Sequence, residues 1–309
     1  MPLDDFVAGC LGAPGASPRA LRVAERFWSL HDLADVTARW ASHVPAERLH
    51  LVTVPRAGAP ADLLWRRFAE ATGLDPELGR TDNARPNTSL TAPEAELLRR
   101  YNADHAGDVT PRHYDRVIRA MLAERVLTAG EDRGAPLVLP VAYADAVSAR
   151  ADATVQTLAE RGYPVVGDLA DLVPDGAAML AADTDPVDDA QVGRVAVRAV
   201  AGFVAEIGPL TRRLAARQQD GGVRVDAAAD VRAEANRIVV ELEAVPAAER
   251  ATAGVDAIAR LVRATAALRE EHGVGFEPAG ADGHPGRLFG RVLRRLRRGG
   301  VALTRRVRS

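Results

Sequence analysis

The residues able to do chemistry in this chain are defined first by one omission: all 40 basic residues are arginine and none is lysine. Schiff-base chemistry, a lysine nucleophile and a phosphate-loop lysine are therefore excluded. Arg56 follows the apolar run Leu49-His50-Leu51-Val52-Thr53-Val54-Pro55 and precedes Gly58. Ligands gather beyond the carboxyl ends of strands, and a guanidinium there could hold an anion bidentately. The plainer reading is a surface turn shaped by Gly58 and the flanking prolines. Asn87-Thr88-Ser89 lies just before a helix, where such side chains most often make a turn and a cap.

The remaining polar groups are weaker. His31 with Asp32 and Asp35 could make an oriented general base, but a place between two helices suits a surface or capping histidine. His105 and His113, with Asp104, Asp108 and Asp115, fit no recognised ligand spacing and read as a solvated loop. Asp183-Thr184-Asp185 with Asp188 and Asp189 lacks the glycine and terminal glutamate of a calcium loop. Cys10 is the single cysteine, so neither a disulfide nor a zinc cluster can be built from it. No metal site is expected, and no catalytic residue can be named.

These residues need elements to position them. Ser17-Pro18 is a cap and first-turn pair for a helix that turns Leu21, Val23, Ala24, Phe27, Trp28 and Leu30 toward a core. A second helix carries Leu33, Val36 and Trp40. The run 49–55 is the clearest strand. It passes through Arg56-Ala57-Gly58-Ala59-Pro60 into a helix with Leu63, Leu64, Trp65 and Phe68, ended by Gly73, making half of a β-α-β unit. Thr91 to Glu94 fits a capping box, Thr110-Pro111 starts another helix, and a further one spans Ala144 to Arg161. Helices are expected near 188–217, 224–244 and 250–271.

Composition sets outer bounds. The chain has 309 residues, 47% hydrophobic but only 4% aromatic, which favours small-residue helix packing. No stretch is long and apolar enough to span a bilayer and no signal peptide opens the chain, so a cytoplasmic location is expected. Seven aspartates and no arginine fall between Asp168 and Asp189, read as a surface linker. From Arg287 onward there are nine arginines and no acid. Leu288, Phe289, Val292, Leu293 and Leu296 form one face of this basic amphipathic tail, which suits an anionic membrane surface or an acidic protein. Nucleic acid is the weakest partner, because no base-stacking aromatics interleave with the arginines.

Several segments in order resemble a family of bacterial sulfotransferases. They are Phe27-Trp28, His31-Asp32, Arg39-Trp40, the run from Pro45 to Pro55, Leu64-Trp65-Arg66-Arg67-Phe68 and Gly73-Leu74-Asp75. Asn87-Thr88-Ser89-Leu90, the helix from Glu94 to Arg100, and Gly162-Tyr163-Pro164-Val165-Val166-Gly167-Asp168-Leu169 complete the set, over roughly residues 20–175. The resemblance implies a parallel-sheet α/β fold and sulfuryl transfer from 3'-phosphoadenosine 5'-phosphosulfate (PAPS) to a hydroxyl or amine of a small-molecule acceptor. It is also what makes Asn87 and Ser89, beside Arg56, substrate-binding candidates. The family's Gly-Thr donor loop is absent. The nearest substitute, Gly12-Ala13-Pro14-Gly15-Ala16-Ser17, follows no strand, and Pro14 lacks an N–H for a phosphate cradle. PAPS would thus bind only with an upstream half in place.

The fold expected is α/β and helix-rich: an incomplete P-loop-like sulfotransferase domain over 1–175, a helical region over 176–284 and the basic tail over 285–309. The function expected is that of a sulfotransferase-family protein, truncated or inactive as it stands. The alternative is a non-enzymatic helical binding protein attaching through its arginine-rich tail to an anionic surface or partner.

Overall fold

Capping chemistry places the first elements. In the computed structural model, which describes residues 1–79, 88–129, 133–174, 186–219 and 226–272, Ser17 Oγ accepts from Ala20 N at 3.1 Å. With Pro18 at the first position, this starts helix α2, Pro18–His31. Asp32 ends it and caps the next, accepting from Asp35 N at 3.1 Å at the start of α3, Leu33–Ala41. The Gly/Pro-rich opening contains an unexpected helix, α1, Leu3–Leu11. It closes on α2 at Gly9, where a Cβ would stand 2.7 Å from the Ala20 backbone. Phe6 meets Phe27 edge-on at 5.5 Å, and Trp28 Nε1 donates to Cys10 O at 2.7 Å.

The expected strand is much shorter than its apolar run. Strand β1 is Leu51–Val52 and pairs in parallel with β2, Val165–Val166, in the register Leu51↔Val165 and Val52↔Val166. A strand extends only as far as a neighbour supplies hydrogen bonds, and β2 supplies two residues. Helix α4, Leu63–Thr72, packs on both strands and ends at Gly73, φ +65°. The coarse expectation of a helix-rich α/β chain therefore holds, with a two-stranded parallel sheet among the described residues.

Helix α5, Ala92–Asp104, begins at the Thr91–Glu94 box. The Pro111–His113 turn, α6, runs directly into a π-helix, Tyr114–Val126. Helix α7, Ala144–Glu160, stops before Gly162. Three long helices follow: α8, Asp189–Gln219; α9, Asp226–Ala244; and α10, Arg250–His272. They pack on one another, and α8 and α10 also pack on α5 and the π-helix.

The core follows from the composition. Val192, Val195, Ala196, Ala199, Phe203 and Ile207 recur at three- and four-residue spacings on α8 and are buried, facing Ile258, Leu261 and Val262 of α10. Small side chains let the backbones approach: a Cβ at Gly254 would stand 2.3 Å from Ala196 Cβ. Met1–His272 make one compact unit. Among the described residues no helix is long and apolar enough to cross a membrane. The tail from Arg287 lies outside the described residues.

Candidate functional site

At the carboxyl end of β1, Thr53 is buried and its hydroxyl donates to Asp171 Oδ2 at 2.8 Å. Thr53 Oγ1 in turn accepts from Arg67 Nη1 at 2.9 Å and from Asp168 N at 3.1 Å. Arg67 Nη1 also reaches Thr53 O at 2.9 Å and Asp171 Oδ2 at 2.7 Å. The Arg67 guanidinium, then the Thr53 hydroxyl, hold the Asp171 carboxyl below the usual carboxylate range. Gly167 completes the closure: its φ is +112°, and a Cβ there would fall 2.1 Å from Thr53 Oγ1.

Arg56, placed by the sequence at this strand end, belongs to the same closure. Its Nη2 donates to Ala170 O at 2.5 Å and Val173 O at 3.4 Å, and its Nε lies 3.9 Å from Asp171 Oδ1. The guanidinium thus straps the 168–173 segment to the strand end. Ser89 is exposed, and its carbonyl accepts from Arg133 Nη2 at 2.8 Å. Arg56 and Ser89 share no partner, and Asn87 lies outside the described residues. The Gly12–Ser17 turn closes on a carboxylate, since Ser17 N and Oγ both donate to Asp5, at 3.2 and 2.9 Å. A phosphosulfate does not fit beside that negative charge.

The histidines do not converge. His31 stacks near Phe27 with ring centroids 4.5 Å apart, while Asp32 turns to Arg150 at 2.9 Å. His113 Nδ1 sits 3.1 Å from Thr110 Oγ1. His105 bridges helices, with Nδ1 3.1 Å from Asp108 Oδ2 and Nε2 3.1 Å from Asp256 Oδ1. The two aspartates meet opposite nitrogens of the ring, and among the described residues no group of three such side chains is placed to hold a metal ion.

A row of charges not expected from the sequence lies on α2. Arg19, Arg22 and Arg26 are exposed on α2 at i, i+3 and i+7, hence on one face. Most other described arginines have an acidic partner: Arg39 with Asp35, Arg66 with Asp62, Arg100 with Glu96 and Asp189, Arg260 with Glu234 and Glu241. No described carboxylate pairs with the three on α2. The signal was the arginine spacing against Ala20 and Ala24, which are buried on the opposite side.

No family model and no solved structure matches this chain. A stretch of 118 residues is 36% identical to ribosome-binding factor A of Nitrobacter winogradskyi, covering 37% of this chain and 81% of that protein. The chain belongs to the ribosome-binding factor A family. This membership overturns the sulfotransferase function and the transferase class drawn from the ordered segments. Each of those segments is a strand, a helix face or a loop, and such elements recur in unrelated proteins.

Proposed function

We propose that this protein binds the ribosome, contacting ribosomal RNA with its arginines. The observation that carries this reading is the likeness to ribosome-binding factor A over 81% of that protein's length. Nucleic acid, expected from the sequence to be the weakest partner, is favoured by this likeness. Guanidinium groups suit the task, because they stay charged at any physiological pH and match phosphate geometry.

Sedimentation of the full chain with isolated ribosomal subunits tests the reading. Attraction to phosphates releases counterions, so the protein should pellet with one of the subunits at about 50 mM salt and be largely released by roughly 200 mM. A chain that stays in the supernatant with both subunits at the lower salt overturns the proposal.

A further inference from the structure

We infer that the face of α2 bearing Arg19, Arg22 and Arg26 is the surface laid against the phosphate backbone of RNA, an assignment that rests on the ribosome-binding reading above. Three observations meet there. The three arginines project from one side over seven positions, or about 10 Å of helix axis. They are exposed and no described carboxylate neutralises them. Glu25, the acid on the same helix, lies about a quarter of a turn off their mean direction.

The other unpaired, exposed arginines make no such array. Arg48, Arg112, Arg194 and Arg232 belong to four different elements, the Ala46–Arg48 turn, α6, α8 and α9. The α2 face is also held rigidly. Ser17 caps its first turn while bonded to Asp5, Gly9 seats α1 against Ala20, and Trp28 bonds Cys10 O. A fixed row of guanidiniums loses less freedom on meeting phosphates than the same charges on a loose segment. Such contacts read charge and spacing and no base identity, so the occupant is RNA backbone of any sequence.

The test uses the full chain in three forms: the natural sequence, Arg19→Gln/Arg22→Gln/Arg26→Gln, and a control Arg112→Gln/Arg194→Gln/Arg232→Gln. Affinity for the isolated ribosomal subunit that binds the natural chain is measured across a salt series. The α2 triple should lose about ten-fold or more at fixed salt, with the slope of log affinity against log salt shallower by about 2–3. The control should change less than about two-fold, and Arg19→Lys/Arg22→Lys/Arg26→Lys should keep the natural slope. If the α2 triple loses its far-ultraviolet circular dichroism, the single Arg22→Gln decides, with a slope shallower by about 1. Binding by the natural chain with an unchanged α2 triple overturns this assignment and leaves the ribosome-binding reading standing. Failure of the natural chain to bind overturns both. Loss of binding to anionic lipid vesicles in the α2 triple, with ribosome binding intact, would assign the face to a lipid surface and overturn the inference.

Discussion

Arg198 reaches from α8 to Oε1 of Glu94, a carboxylate with no exposed surface, on the same oxygen that Arg133 Nε approaches at 3.0 Å. Glu94 Oε2 accepts from Thr91 N at 2.9 Å and from Arg133 Nη2 at 2.5 Å. Arg133 in turn holds Leu127 O and Ser89 O. A helix cap is therefore also the joint between the N-terminal elements and the C-terminal helices.

Removing the Glu94 carboxylate leaves two guanidiniums partly buried without their anion. Glu94→Ala should lower stability by about 3–5 kcal/mol, the usual cost of breaking a buried ion pair from one side. Urea unfolding followed by circular dichroism measures it. A loss below about 1 kcal/mol would show that Glu94 acts as an ordinary cap alone.

Tyr101 is fully buried and its hydroxyl has no partner. Burial first, then the charge of Asp108, pushes its pKa up to about 12 from 10.0. The native state thus favours the neutral phenol. Ionisation therefore costs the native state nothing below pH 10, and stability is lost as the pH rises from 10 toward 12. Tyr101→Phe should raise stability by about 1 kcal/mol at neutral pH, by removing an unsatisfied buried donor. It should also flatten the alkaline limb of urea midpoint against pH.

Asp108 and Asp171 carry the opposite sign. His105 and then Arg263 lower the first, Arg67 and then Thr53 the second, each from an ordinary value of 3.8. Their contribution is present above that value and is lost as the pH falls through their depressed native values. The natural chain should therefore weaken progressively below about pH 4. Asp171→Asn should be less stable at pH 7 and converge on the natural chain in acid, as read from urea midpoints.

Gly167→Ala sets a methyl group where Thr53 Oγ1 stands and strains a φ of +112°. Loss of about 1–3 kcal/mol is expected. In the background of Thr53→Ala, which removes that oxygen, the same change should cost less. Additive losses in this double-mutant cycle would refute the contact.

Much of the secondary structure was legible, because caps are local. Ser17-Pro18, Thr91 with Glu94, Thr110-Pro111 and Gly73 each mark an end within four residues, and the C-terminal helices fall close to their expected limits. The strand was overextended because its partner, Val165–Val166, is remote in sequence and only two residues long. Helix α1 was hidden by the Pro, Gly and Ser around it. Glu94 could be seen as a cap, but Arg133 and Arg198, 39 and 104 positions away, could not be seen as its partners. Arg56 fell where anion ligands gather, and only the fold reveals the carbonyls of Ala170 and Val173 beneath it. The α2 arginines were visible in spacing, but whether a charge is neutralised depends on tertiary neighbours.

The link between Thr53 and Asp171 spans 118 positions, whereas α8, α9 and α10 each pack against a helix adjacent in sequence. Closing short loops sacrifices less chain entropy than closing long ones, and local contacts accelerate folding. The C-terminal helices can thus assemble early, while the strand pair must wait for the intervening chain to order. On unfolding, the order reverses: the β1–β2 seam opens first, and its amides exchange with solvent hydrogen ahead of those in the helical bundle.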